Sequence, residues 1–111
     1  MDAELKTKWL EALRSGKYDQ GTGQLRNGNC FCCLGVLCDI FDPNAWKIDR
    51  NSNAEWSYGE GFDQSHEIGV LPHNFKVTYG ISADVESDLI AMNDDSGRTL
   101  SQIADYIEAK L

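Results

Sequence analysis

A chain of 111 residues, 41% hydrophobic and 25% charged, has the size and make-up of one globular domain, and it is too rich in apolar residues for a disordered or fibrous protein. Eighteen acidic residues against ten basic ones leave a net charge of −8, which repels phosphate backbones and argues against direct binding of nucleic acid. The same charge attracts basic protein surfaces and speeds association with them.

Leu5, Trp9, Ala12 and Leu13 recur at helical spacing among Lys6, Lys8, Glu11 and Arg14. They predict an amphipathic first helix that packs inward through Trp9 and stops at Ser15-Gly16. Tyr18 to Asn29 holds Gly21, Gly23 and Gly28 but few apolar residues, which suits a tight loop or an irregular hairpin. From Phe31 to Phe41 almost every residue is apolar, the pattern of an element buried on all sides. Its length and the stop at Asp42-Pro43 favour a helix. Cys30 to Asp39 is therefore expected to be the buried, reduced-thiol helical centre of the domain, with Leu34 to Phe41 in the core and Gly35 marking a close approach by another element.

Residues 43–69 are rich in Asn, Asp, Ser and Gly, with Trp46, Ile48, Trp56, Tyr58 and Phe62 among them. Alternation predicts short strands at Ala45 to Ile48 and Glu55 to Tyr58, joined by the polar stretch Asp49 to Ala54. Leu71-Pro72 opens a further element through Phe75, Val77 and Tyr79, ended by Gly80. Ser82 caps the next helix, with Asp84 and Glu86 in its first turn, Val85, Leu89 and Met92 facing inward, and its end at Asn93. After the turn Asp94-Asp95-Ser96-Gly97, Thr99 and Gln102 form a capping box ahead of Leu100, Ile103, Ala104, Ile107 and Leu111. The expected architecture is α+β: a single compact domain over residues 1–111, with four or five helices around the central cysteine-rich helix and a small antiparallel sheet in the middle third.

Trp9, the run Ala12-Leu13-Arg14-Ser15-Gly16-Lys17-Tyr18, the run Phe31-Cys32-Cys33-Leu34-Gly35-Val36-Leu37-Cys38-Asp39, Asn93-Asp94 and Ile103-Ala104-Asp105-Tyr106-Ile107-Glu108 belong together. They resemble a family of short proteins of no established activity encoded by bacteriophages, prophages and some bacteria. The resemblance spans nearly the whole chain apart from residues 43–69. It implies a viral accessory protein working in the host bacterial cytoplasm, and it transfers no catalytic residue.

Met1 to Lys6 lacks the basic-then-apolar pattern of a signal peptide, and there is no run of about eighteen apolar residues, so neither a secretory leader nor a membrane span is expected. Cys30, Cys32, Cys33 and Cys38 then read as free thiols, with adjacent Cys32 and Cys33 poor disulfide partners. Cys30 and Cys33 offer one pair of zinc ligands, but no second pair follows, and His66 and His73 form no paired motif. No metal or cofactor is expected. A thiol at a helix N-terminus has a lowered pKa, so Cys32 or Cys33 is a candidate nucleophile, with His66 or His73 as base and Asp94 or Asn93 as orienter. A cysteine-dependent hydrolase or transferase is the competing reading.

The glycine loop supplies the candidate ligand site: Tyr18, Gln20, Thr22, Gln24, Arg26 and Asn27, joined by Cys33 from the following turn. Its glycines admit backbone N–H groups to an anion, and the next helix N-terminus adds a favourable dipole. The spacing matches neither phosphate-loop nor dinucleotide fingerprints. Asn93-Asp94-Asp95-Ser96-Gly97 lacks the alternating acids of a calcium loop and reads as a turn in which Asp95 or Ser96 satisfies backbone donors. The favoured function is a non-enzymatic accessory protein that disables a host process by binding. Its target is either a host protein met by the acidic surface or a small phosphate-bearing nucleotide sequestered around Arg26. Three Trp, four Tyr and four Phe are enough to line a homo-oligomer interface as well as a core.

Overall fold

The computed structural model describes residues 2–49, 55–58 and 73–111. Helix α1, Ala3–Arg14, begins at Asp2, whose carboxylate accepts the backbone N–H of Glu4, and buries Leu5, Trp9 and Leu13. Three two-residue strands follow, β1 (Asp19–Gln20), β2 (Arg26–Asn27) and β3 (Cys30–Phe31). They form one sheet in the order β1-β3-β2, with β1 parallel and β2 antiparallel to β3. Helix α2, Cys33–Phe41, ends at Asp42, where a short 3-10 turn, Pro43–Ala45, begins. The strands β4 (Trp46–Asp49) and β5 (Glu55–Tyr58) pair antiparallel, with Trp46 opposite Tyr58 and Ile48 opposite Trp56. Three helices complete the described residues: α3 (His73–Tyr79), α4 (Ala83–Asp94) and α5 (Leu100–Lys110).

This is a compact α+β domain with five α-helices among the described residues. Helix α2 lies against α1 and α4, and α5 closes the other side of α1. Trp9, Cys33, Leu34, Val36, Leu37, Cys38, Leu89, Ile103, Ala104 and Ile107 are wholly buried where these helices meet. Burying each large apolar side chain stabilises by about 1.5–3 kcal/mol, set against the entropy of ordering the chain. The caps follow the sequence. The Ser82 hydroxyl accepts Val85 N–H, and Thr99 and Gln102 close a reciprocal capping box. Helix α3 ends at Gly80, with φ +73°, where Ile81 N–H reaches back to Lys76 O, the left-handed closure that glycine favours.

Several expectations change. The helix does not begin at Cys30: Cys30 and Phe31 are strand, and Cys32 is the N-cap. An all-apolar run has no period to mark that boundary. The tight loop is a mixed sheet whose strands are too short to show alternation, its hairpin half formed by β2 and β3. Phe41 is 44% exposed, so the core of α2 stops short of it, and Val77 on α3 is 68% exposed. Glu86 does more than complement a dipole. It is 5% exposed and pairs with Lys76 at 2.9 Å, joining α3 to α4. The turn after α4 is closed by backbone bonds, Asp95 and Ser96 N–H to Ala91 O and Arg98 N–H to Met92 O. The expected Asp95 or Ser96 side-chain bonds are not what close it. The loop expected at Asp49 to Ala54 keeps Asp49 in β4, and residues 50–54, Phe62, His66, Leu71 and Pro72 lie outside the described residues. The expectation for Gly35 holds, since a Cβ there would overlap the carbonyl of Leu25.

Candidate functional site

The glycine loop, the start of α2 and the end of α4 meet at one buried amide. Asn93 follows Leu89 by one helical turn, so it lies on the inward stripe of α4, and it is 2% exposed. Its Oδ1 accepts from Gln20 Nε2 at 2.9 Å and from the backbone N–H of Cys33 at 3.3 Å. Its Nδ2 donates to Gly21 O and to Asp94 Oδ1, both at 2.8 Å. Two donors and two lone pairs are the whole capacity of a primary amide, and all four are used. Gln20 Nε2 also donates to Arg98 O at 2.7 Å, tying the turn after α4 to β1.

A second cluster sits at the other end of α2. The Tyr18 hydroxyl donates to Asp39 Oδ2 at 2.7 Å, and Trp46 Nε1 donates to Asp39 Oδ1 at 3.0 Å. Phe31 lies edge-on to both rings, with centroids 5.2 Å from Tyr18 and 5.9 Å from Trp46. The Arg26 guanidinium stands 5.0 Å from the Phe31 centroid and 5.6 Å from that of Trp46, within cation–π range. Its Nε donates to Gly28 O. Partial burial, helped by the bond to Asp39, pushes the Tyr18 phenol up to about 12.

The predicted ligand residues are brought into one neighbourhood but not onto one open surface. Tyr18, Gln20 and Arg26 are half-buried and bonded to the protein's own groups. Cys33 is fully buried under α4, its thiol 3.8 Å from Leu89 O and its carbonyl accepting Trp9 Nε1 at 2.9 Å. Thr22 and Asn27 are exposed. Gln24 borders a cavity of about 10 Å³ with Cys32, Cys33, Leu34, Ile90, Asn93 and Asp94. That volume is near the lower limit for a single water.

The thiols do not have the electrostatics expected of a nucleophile. Cys32 caps α2 with its sulfur, accepting Gly35 N–H at 3.4 Å, yet burial outweighs that bond and pushes the thiol up to about 11. Burial likewise pushes Cys33 and Cys38 well above the ordinary thiol value. Desolvation disfavours the thiolate more than the helix terminus favours it. None of the four cysteines forms a disulfide, and no cluster of three metal-ligating side chains exists among the described residues.

The sequence reading missed Asn93 as the junction and Asp39 as a shared acceptor. Both carried a signal: Asn93 sits one turn past Leu89 on the apolar stripe of α4, and Asp39 is the one charged residue inside the run Phe31 to Phe41.

Fold and site together define a small α+β domain whose polar loop is latched to its own helices. Over residues 1–111 the chain matches the family described as a domain of unknown function, DUF8296, and it belongs to that family. No curated protein and no solved structure matches it. Among the described residues no helix is long and apolar enough to cross a membrane.

Proposed function

We propose that this domain is a non-enzymatic bacteriophage or prophage accessory protein that acts in the bacterial cytoplasm by binding a basic surface of a host protein. One observation carries the reading. Tyr18, Gln20 and Arg26 of the glycine loop bond to the protein's own groups, and the cavity beside Gln24 measures only about 10 Å³, so this loop offers a partner surface charge and no ligand-sized pocket. Outward charge is ample. Helix α4 contains no Lys or Arg, and Asp84, Asp88 and Asp95 at its cap are exposed. The sequence resemblance to phage and prophage proteins supports the setting. A sequestered nucleotide is less well supported, because Gln20 and Tyr18 already have internal partners.

Capture from host lysate with the tagged domain, followed by mass spectrometry at low and high salt, tests the reading. The expected result is a basic host protein held at low salt and released as salt screens the contact. It should be held more weakly by the Asp84→Asn/Asp88→Asn variant. A rise in melting temperature with any member of a cyclic-nucleotide panel would replace this reading with the nucleotide one. Rapid alkylation of Cys32 or Cys33 by iodoacetamide under native conditions would replace it with the cysteine enzyme.

A further inference from the structure

Two asparagines of this domain stand at opposite extremes. Asn93 is buried with every amide valence used, whereas Asn27 is exposed and its side chain has no hydrogen bond among the described residues. Asn27 is also followed by Gly28, the one Asn-Gly step in the chain. Gly28 is exposed, with φ +60°, and nothing lies within 4 Å of the position a Cβ would take. Among the described residues its backbone N–H donates to no other backbone group. Nucleophile and electrophile are therefore neighbours, both free and both open to water.

We propose that Asn27 is a site of spontaneous self-modification to aspartate and isoaspartate. The backbone nitrogen of Gly28, deprotonated by water or hydroxide, attacks Cγ of Asn27. A C–N bond forms, the Cγ–Nδ2 bond breaks, and ammonia leaves with the proton. One water then opens the succinimide at either carbonyl, giving aspartate or isoaspartate. Overall, one water is consumed and one ammonia released, with no change of oxidation state. Glycine favours the step because no side chain shields its nitrogen or hinders the turn that closes the ring. Extended backbone at Asn27 holds Cγ away from that nitrogen, so the reaction proceeds through opening of the end pair Asn27 and Cys30. A two-residue strand beside a turn is where such opening is easiest.

The consequence is mechanical as well as electrostatic. Either product adds a carboxylate next to Arg26. Isoaspartate also lengthens the main chain by one carbon and breaks the register of β2 on β3. That register bears on α2, because Cys32 N–H donates to Leu25 O at 3.1 Å and Gly35 lies against the same carbonyl. A displaced β2 loosens the N-terminal end of the cysteine helix and uncovers Cys30, which is half-buried in the unmodified chain.

The test is to incubate the full chain in mildly alkaline buffer at physiological temperature, with sampling by peptide mapping that separates aspartate from isoaspartate. Asn27 should convert faster than Asn29, Asn44 or Asn93 by more than about tenfold, one decade of rate. The Asn27→Gln variant should stay intact at this position. Chains carrying isoaspartate should alkylate at Cys30 faster than Asn27→Asp, which has the charge without the extra carbon. Conversion no faster at Asn27 than at Asn44, while the urea-unfolded chain converts readily, would overturn the site. Equal alkylation of isoaspartate and unmodified chains would overturn the coupling to α2.

Discussion

At the start of α2, Cys33 and Leu34 are wholly buried, Trp9 and Asn93 bond the backbone on either side of Cys33, and the carbonyl of Leu25 occupies the space a side chain at position 35 would need. At its end, Asp39 and Ile40 are half-buried, Phe41 is 44% exposed, and the chain is held by the Asp39 carboxylate bridging Tyr18 and Trp46. One end is fixed by exclusion of volume and complete use of hydrogen-bonding capacity. The other is fixed by a few polar contacts beside solvent. Close packing leaves no cheap rearrangement, whereas a solvent-facing bond can be exchanged for one to water at little net cost. The same helix thus has a rigid root and an adjustable tip.

Three substitutions test that contrast. Gly35→Ala should be the most damaging, because the obstacle is backbone and cannot swing aside. A loss of about 3 kcal/mol or more is expected, read as a fall in the urea midpoint. A loss below about 1 kcal/mol would mean that the root can yield and would erase the distinction. Asn93→Ala should follow closely. It strands the Cys33 N–H and the Gly21 carbonyl in a buried site and frees Gln20, costing about 3 kcal/mol and lowering Tm by roughly 10 °C.

Tyr18→Phe belongs to the tip and should cost about 1.5 kcal/mol, the lower end for a hydrogen bond to a charged carboxylate beside solvent. It should also change the alkaline limb of the stability curve. The Tyr18 phenol holds its proton more tightly in the folded state, up to about 12, than in the unfolded chain, where it titrates near about 10. Its contribution is therefore complete below about pH 10 and is lost as pH rises toward about 12. The variant should flatten that part of the decline. The earlier fall that begins near the ordinary thiol value belongs to Cys32, Cys33 and Cys38, whose thiols are all pushed up by burial, and should remain. An unchanged alkaline profile would show that Asp39 does not hold Tyr18 in solution.

The contrast also explains what was legible beforehand. Leu5, Trp9 and Leu13, and Leu100, Ile103 and Ile107, repeat over three turns or so, long enough for periodicity and caps to agree. Gly35 was readable because a glycine inside an apolar helix has few other reasons to be there. The strands at residues 19–20, 26–27 and 30–31 were not, since two residues cannot display alternation. Phe41 misled because apolar character runs past the point where neighbouring helices stop covering it. Asn93 was hidden by its place near a helix end, where asparagine is ordinary. The bonds that make it a junction come from residues sixty or more positions earlier in the chain, and no local pattern records them.

The indole nitrogens give the contrast an optical form. Trp9 is fully buried and bonded to the root of α2, while Trp46 is bonded to its tip. With Trp56 and one of the other two tryptophans replaced by phenylalanine in turn, the single remaining indole would report one end, and emission colour would follow the solvation of that end during titration with denaturant. The Trp46 signal should begin to shift before that of Trp9, so the order in which the two ends let water in becomes a spectroscopic measurement.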